Sequence, residues 1–121
     1  MSARPIRIGL LGGTFDPIHI GHVALARAAQ AAYGFDEIRF LPTAISWQKG
    51  ETSTAAHHRL EMVRRAIAHH RGFILDDREV RRGGNTYTVD TLGELRGELG
   101  QDAVLVLLLG IDLLLNPATW R

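Results

Sequence analysis

Residues 6–22 decide the fold of this chain and read IRIGLLGGTFDPIHIGH. The stretch begins with an apolar run that contains Ile6, Ile8, Leu10 and Leu11. Because apolar residues fall on both faces of this run, it predicts a strand covered by helices on both sides of a sheet. Gly12 and Gly13 end the strand, and a loop then leads into an alanine-rich stretch that predicts a helix over 20–33, ended by Gly34.

The rest of the chain alternates between strand-like and helix-like segments. Short apolar runs predict strands at 37–41, 73–75 and 104–109. Helical spacing predicts helices from Ser53 or Thr54 to about His69, from 86–88 to Leu99, and a half-helix at 112–115. This alternation predicts βαβ units and a parallel sheet, with ligands bound beyond the carboxyl ends of its strands. The run 104–109 is the most hydrophobic and predicts a buried strand, whereas Arg81 and Arg82 are expected in a solvated turn.

Composition limits the classes of protein that this chain can represent. Its 121 residues are 45% hydrophobic and 22% charged, which is typical of one soluble globular domain. The absence of cysteine excludes a disulfide scaffold, a thiolate zinc site, an iron–sulfur cluster and a cysteine nucleophile. We expect a cytoplasmic protein, because neither a secretory leader nor a bilayer-spanning apolar run is present. The net charge of +1 offers no signature of nucleic-acid polymer binding.

The loop after the first strand carries the residues that are best suited to phosphate chemistry. Gly12 and Gly13 let the backbone pass close to a ligand, and the next helix begins with free N–H groups that favour phosphate. His19 and His22 are three residues apart, so both project from one side of the first helical turn. Gly21 leaves room between them, and paired imidazoles can donate hydrogen bonds to phosphoryl oxygens. Capping, burial in the core or half of a metal site are the alternatives for the two histidines, although a third metal ligand at suitable spacing is lacking.

At this point the sequence resembles a known family. The stretch GTFDPIHIGH at 13–22 is similar to the H-x-G-H signature of the nucleotidyltransferase superfamily, and the doubled glycine looks most like bacterial nicotinate mononucleotide adenylyltransferases. Further similar segments occur in the family's order. They are LPTAISWQK at 41–49, HRL at 58–60, TYTVDTL at 86–92, GID at 110–112 and Trp120. The resemblance covers the chain from Ile6 to its last residue.

The resemblance implies a fold and a reaction. The fold is a Rossmann-like doubly wound parallel sheet of about four strands flanked by helices, in a single nucleotidyltransferase domain over residues 1–121. The reaction joins ATP and nicotinate mononucleotide to give deamido-NAD and pyrophosphate. The implied ATP-binding residues are Gly12, Gly13, Thr14, Phe15, His19, His22, Gly110 and Asp112. Among these, His19 and His22 hold the phosphates, and Mg²⁺ is carried by the ATP phosphates rather than by a protein metal site.

The resemblance also implies a set of residues that hold nicotinate mononucleotide. They are Thr43, Thr86, Tyr87, Asp112 and Trp120, with Lys49 adding a positive charge near a substrate phosphate. Trp120 would stack on the pyridine ring, since an electron-poor ring favours an aromatic face. Each has a plainer alternative, such as solvation for Lys49, packing for Trp120 and helix capping for Asp112. Thr43 stands where the family often has asparagine.

The chain departs from the family at its carboxyl end. Relatives continue past the position of Trp120 with a further helix, a strand and an I-S-x-T-x-I-R segment that helps bind ATP. We therefore expect a C-terminally incomplete domain, with apolar surface exposed on 104–109. The alternative functions are a phosphopantetheine adenylyltransferase, a cytidylyltransferase or a catalytically silent nucleotide-binding fragment. A homo-oligomer is possible.

Overall fold

A computed structural model describes residues 4–13, 15, 18, 20–43, 56–82 and 88–108, with the backbone alone for residues 88 and 89. The chain forms β1 (Arg7–Gly13), α1 (Ile20–Tyr33), β2 (Glu37–Pro42), α2 (Ala56–Ile67), β3 (Phe73–Leu75), α3 (Arg78–Arg82), α4 (Thr88–Leu99) and β4 (Val104–Leu108). The predicted half-helix at 112–115 lies outside the described residues. Within the described part, no helix combines the length and apolar character needed to cross a bilayer.

The strands form one parallel sheet in the order β3-β2-β1-β4. β1 lies in the interior of the sheet and pairs with β2 on one side and β4 on the other. The chain first moves outward from β1 to β3 and then crosses back to add β4 on the opposite side, so the strand order reverses between β1 and β4. The prediction of a Rossmann-like doubly wound parallel sheet with about four strands is therefore confirmed.

Two apolar layers show why β1 is apolar on both faces. On one face, Leu11 packs in a cluster that includes Ala26 of α1 and Val63 of α2. On the other face, Ile8 and Leu10 pack against Leu95 of α4. These β1 side chains are at most 1% exposed, and burying each contributes about 1.5–3 kcal/mol. The central strand is thus held from both sides, which fixes the position of the loop that follows it.

The ends of α1 follow the sequence prediction. The helix spans Ile20–Tyr33 as expected, and Gly34 adopts a φ of 65°, which a residue with a Cβ rarely takes. The Gly34 N–H donates to the Gln30 carbonyl oxygen at 3.0 Å. The alanine content allows close packing on the sheet, since Ala26 and Ala29 are buried in the core.

The polar stretch after β3 contains the short helix α3, which corrects the prediction of a turn at Arg81 and Arg82, while the predicted exposure of both arginines is confirmed. Asp76 accepts a hydrogen bond from the Arg78 backbone N–H at 3.2 Å, as a helix-capping side chain does. Arg81 and Arg82 are both exposed, but Arg81 pairs with Asp77 whereas Arg82 pairs with Glu94 of α4. Ion pairs to a neighbouring helix therefore hold α3, and they leave no periodic apolar signal in the sequence.

The predicted burial of the last strand is wrong in part. Val104 and Leu107 of β4 are 40% and 49% exposed. β4 lies at the sheet edge among the described strands, with β1 as its neighbour. An apolar run cannot distinguish an edge strand from a central one. The separate expectation of exposed apolar surface on this run is confirmed at Val104 and Leu107.

Candidate functional site

The carboxyl ends of β1 and β2 lie side by side and form the described floor of the candidate site. Gly12 is paired with Leu41, and Gly13 with Pro42. One residue further, the Thr43 N–H donates to the Gly13 carbonyl oxygen at 2.9 Å, so the pairing extends beyond the end of β2. Ligands of doubly wound sheets bind at this edge, close to the point where the strand order reverses.

Packing among the described residues does not account for glycine at positions 12 and 13. A Cβ added to Gly12 would lie 3.8 Å from the Leu41 carbonyl oxygen, and one added to Gly13 would lie 3.8 Å from the Phe15 ring. Both distances are ordinary van der Waals contacts. As far as the described residues go, each glycine position has room for a side chain, as expected where a ligand approaches the backbone.

Phe15 has an unusual backbone conformation at the entry to this site. Its φ is 50°, in the left-handed region that costs a residue with a Cβ about 1–2 kcal/mol. Its side chain is 2% exposed and packs in the cluster beneath the sheet edge. Phe15 was expected to form part of the turn around the nucleotides. Because its ring lies in the core, only its backbone is placed to take that predicted role.

His22 lies in the first turn of α1 and is 4% exposed. The rings of His22 and Phe15 pack edge to face, with their centroids 5.0 Å apart and an interplanar angle of 70°. Phe15 also packs against Phe40 of β2, at 6.0 Å between centroids. The imidazole is thus held from the core side, which restricts its orientation. This is the arrangement that a fixed hydrogen-bond donor requires.

Arg59 is a residue of this region to which sequence reasoning assigned no role. It lies in the first turns of α2, is 2% exposed, and donates from Nη1 to the Thr43 carbonyl oxygen at 2.7 Å. The sequence does contain a signal for it. Arg59 precedes Val63 and Ile67 by four and eight residues, so an arginine occupies a position in the buried apolar stripe of α2.

The carboxyl end of β3 carries a closed ion cluster centred on Asp76. Its carboxylate accepts hydrogen bonds from Arg78 Nε at 2.8 Å and from Arg39 Nη1 at 3.0 Å. Burial opposes ionisation of Asp76, but the hydrogen bonds from Arg78 and Arg39 outweigh it and lower its pKa. Arg78 also forms a two-pronged pair with Glu98 of α4, and this hydrogen bonding raises the pKa of Arg78. The cluster connects β2, the end of β3, α3 and α4, so we interpret it as stabilising the fold rather than binding a ligand.

A buried pair connects α3 to α4 on either side of residues 83–87. Thr91 Oγ1 donates to Glu79 Oε2 at 2.6 Å, and both residues are at most 6% exposed. Burial raises the pKa of Glu79, although the hydrogen bond from Thr91 lowers it. The segment between these helices includes Thr86 and Tyr87, which the family resemblance assigns to nicotinate mononucleotide.

The structure brings part of the predicted site together. Gly12, Gly13, Phe15, His22 and Thr43 lie around the adjoining ends of β1 and β2 and the start of α1. The remaining predicted residues lie outside the described part of the chain. They are Thr14, His19, Lys49, Thr86, Tyr87, Gly110, Asp112 and Trp120. Over the described ranges, no group of three or more histidine, aspartate or glutamate side chains is placed to hold a metal ion.

Comparison with known proteins assigns this arrangement to a family. A family model described as cytidylyltransferase-like matches residues 10–121. A probable nicotinate-nucleotide adenylyltransferase from Bordetella avium is 46% identical over 115 residues, which are 95% of this chain and 56% of that protein. The protein of the same description from Aeromonas salmonicida is 49% identical over 114 residues, or 94% of this chain and 53% of its own length.

A solved structure agrees in fold. Plasmodium falciparum nicotinic acid mononucleotide adenylyltransferase, complexed with NaAD, superposes with a TM-score of 0.73 at 26% sequence identity. The match covers 96% of this chain and 57% of that structure. The chain thus spans about half the length of the curated relatives and of the solved structure that it matches.

Proposed function

The chain belongs to the cytidylyltransferase-like family, and we propose that its protein joins ATP and nicotinate mononucleotide to give deamido-NAD and pyrophosphate, a step of NAD biosynthesis. The observation that carries the proposal is the near-half identity, over almost the whole chain, with relatives described as nicotinate-nucleotide adenylyltransferases. The glycine-rich end of β1 and the held imidazole of His22 support it, because both lie where a doubly wound sheet binds nucleotides.

The proposed reaction is a displacement at phosphorus. A phosphate oxygen of nicotinate mononucleotide attacks the α-phosphorus of ATP. The bond from that phosphorus to the oxygen bridging to the β-phosphate breaks, and pyrophosphate leaves with the bridging oxygen. The attacking phosphate is already a nucleophile, so catalysis rests on alignment and charge stabilisation, with no need for a base or a covalent intermediate.

On the ATP side, His22 and His19 donate hydrogen bonds to the phosphates as negative charge develops in the transition state. The backbone of Gly12, Gly13, Thr14 and Phe15 lines the turn, with Gly110 and Asp112 completing this side of the site. Mg²⁺ bound to the triphosphate would offset part of its charge. In this proposal the metal arrives with ATP.

On the pyridine side, Thr43, Thr86, Tyr87 and Asp112 bind nicotinate mononucleotide, and Trp120 stacks on its ring. Lys49 adds a positive charge near a substrate phosphate. The position of Thr43 beside Gly13 supports its part, because it puts residues assigned to the two nucleotides in direct hydrogen-bond contact. A single domain over residues 1–121, a cytoplasmic location and a possible homo-oligomer stay predictions. The expected lack of membrane or nucleic-acid partners is a prediction as well.

The test is a substrate comparison with the 121-residue chain. ATP is supplied with nicotinate mononucleotide, nicotinamide mononucleotide or phosphopantetheine, and CTP with glycerol phosphate, while pyrophosphate release and the dinucleotide product are measured. We expect ATP and nicotinate mononucleotide to react, giving deamido-NAD, and any other pair to react far more slowly or not at all. Faster turnover of phosphopantetheine or of CTP would assign a different member of the family.

Variants of two histidines complete the test. His22→Ala should lower turnover by about 10²–10³-fold, as loss of a transition-state hydrogen-bond donor does. His58→Ala is the matched control, because His58 is an exposed residue of α2. An unchanged rate in folded His22→Ala protein refutes the role of His22. Calorimetric heat of binding for both nucleotides, without any turnover, would instead identify a silent nucleotide-binding module.

A further inference from the structure

Arg59 is buried at the base of the candidate site, where it has a backbone partner. The guanidinium carries five N–H donors and a permanent charge, and burial of such a group is costly unless it is hydrogen-bonded. Its Nη1 lies 2.7 Å from the Thr43 carbonyl oxygen. Since Arg59 belongs to α2 and Thr43 follows β2, this bond connects a helix on one face of the sheet to the edge where ligands bind.

The contact continues through Thr43 to β1. The Thr43 N–H donates to the Gly13 carbonyl oxygen at 2.9 Å, while its carbonyl oxygen accepts from Arg59. Thr43 is therefore held at both of its backbone polar groups, by β1 on one side and α2 on the other. Parallel strand pairing accounts for the first bond, and the buried arginine donates the second.

We propose that Arg59 is a positioning residue for the nicotinate mononucleotide side of the site: by holding the Thr43 carbonyl, it fixes Thr43 beside Gly13. This inference rests on the proposed function for the identity of the nucleotide, but the Arg59–Thr43 contact does not. Arginine suits this role better than lysine. Its guanidinium is permanently charged and presents its N–H donors in a fixed plane, whereas lysine has a single ammonium group on a flexible stem. A purely structural arginine would stabilise α2 as a whole without acting selectively on Thr43.

Amide hydrogen exchange measured by NMR on the full 121-residue chain separates these roles. The Thr43 amide reports the position of Thr43, and the Val63 amide reports the stability of α2. In Arg59→Met, which keeps an apolar stem of similar length, Thr43 should exchange about tenfold faster or more relative to Val63, because a charge-assisted hydrogen bond is worth at least that factor. Arg65→Met is the matched control, since Arg65 lies on the same helix with a side chain that is 81% exposed.

Calorimetric titration supplies the functional readout. Arg59→Met should weaken binding of nicotinate mononucleotide about tenfold or more, with a much smaller effect on ATP. Arg59→Lys, which keeps the charge and one donor, should recover part of both the Thr43 protection and the affinity. Equal acceleration of exchange at Thr43 and Val63, together with unchanged affinity, overturns the proposal in favour of a structural arginine.

Two further outcomes are informative. If Arg59→Met does not fold, Arg59→Gln replaces it, because glutamine keeps a polar amide but loses charge and reach. Unchanged Thr43 exchange in folded Arg59→Gln protein then overturns the proposal. If Thr43 responds selectively but the unsubstituted chain binds another nucleotide in place of nicotinate mononucleotide, the holding of Thr43 is supported. The assignment of Arg59 to the nicotinate nucleotide is overturned together with the proposed function.

Discussion

Substitution of Phe15 by leucine tests whether the core holds the histidine of the candidate site. Phe15 is 2% exposed and contacts the rings of His22 and Phe40. Leucine fills much of the same space but cannot make either ring contact. Both residues carry a Cβ, so the cost of the φ of 50° is the same in the two proteins. The measured difference therefore reports the lost side-chain packing.

The expected loss of stability follows from those two contacts. Each aromatic pair contributes about 0.5–1.5 kcal/mol beyond the burial of its area, so loss of both lowers the free energy of unfolding by about 1–3 kcal/mol. For a chain of this size the midpoint of thermal unfolding should fall by about 4–12 °C. Turnover, measured at a temperature where both proteins are folded, should fall as well, because His22 loses the ring that orients it.

Phe73→Leu is the matched control for this experiment. Phe73 is also buried and packs against Phe40, at 5.4 Å between centroids, but it lies in β3 rather than at the start of α1. It should cost similar stability without lowering kcat. Equal loss of kcat in the two variants, or no loss of stability in Phe15→Leu, would refute the reasoning that Phe15 orients His22.

Four other substitutions test the ion pairs and the backbone positions around the site. Asp76→Asn leaves the largely buried Arg39 and Arg78 without their shared carboxylate. It should lower the free energy of unfolding, measured with urea, by about 2–4 kcal/mol. Because its pKa is lowered in the folded state, the stabilisation from Asp76 is present above the pKa of an unfolded aspartate and is lost as pH falls through the folded value. Glu79 has the opposite effect on stability. Burial raises its pKa, so its ionised form destabilises the folded protein at high pH. Glu79→Gln should therefore raise the thermal midpoint at pH 8 and leave it nearly unchanged at pH 4, and an equal effect at both would contradict the ionic explanation. Gly72→Ala should cost about 1–3 kcal/mol, because φ is +80° and the new Cβ would lie 2.9 Å from Gln30 Nε2. Gly93→Ala in α4, where no atom of the described residues lies within 4 Å of the new Cβ, should instead raise the free energy of unfolding by about 0.5–1 kcal/mol.

The alternation of strands and helices could be predicted because local signals agree with tertiary packing. The predicted bounds of β3 match the observed ones, Phe73–Leu75, and α1 ends at Tyr33, directly before the glycine that the sequence indicates as its end. The short helix α3 could not be predicted in this way. Its five residues carry two neighbouring arginines in the last turn, and its place is fixed by ion pairs to residues that are distant in sequence.

The candidate site likewise contains features that the sequence could predict and features that it could not. That the glycines and His22 lie close together at the end of β1 and the start of α1 could be predicted, because their spacing across the first loop is short. Their part in phosphate binding stays a prediction. The left-handed conformation of Phe15 could not be predicted, because the surrounding core imposes it and any local preference opposes it. Arg59 is intermediate. Its position in the apolar stripe of α2 could be read from the sequence, but its hydrogen bond to Thr43 could not.

The described part of the candidate site is supported from within the core. Phe15, His22 and Arg59 are each at least 96% buried, and they act on the start of α1 and on the adjoining ends of β1 and β2. Exposed residues that bind a nucleotide can be changed at little cost in stability, but these three cannot. Activity and stability should therefore fall together when this support is altered, and only matched core substitutions away from the strand ends can separate the two effects.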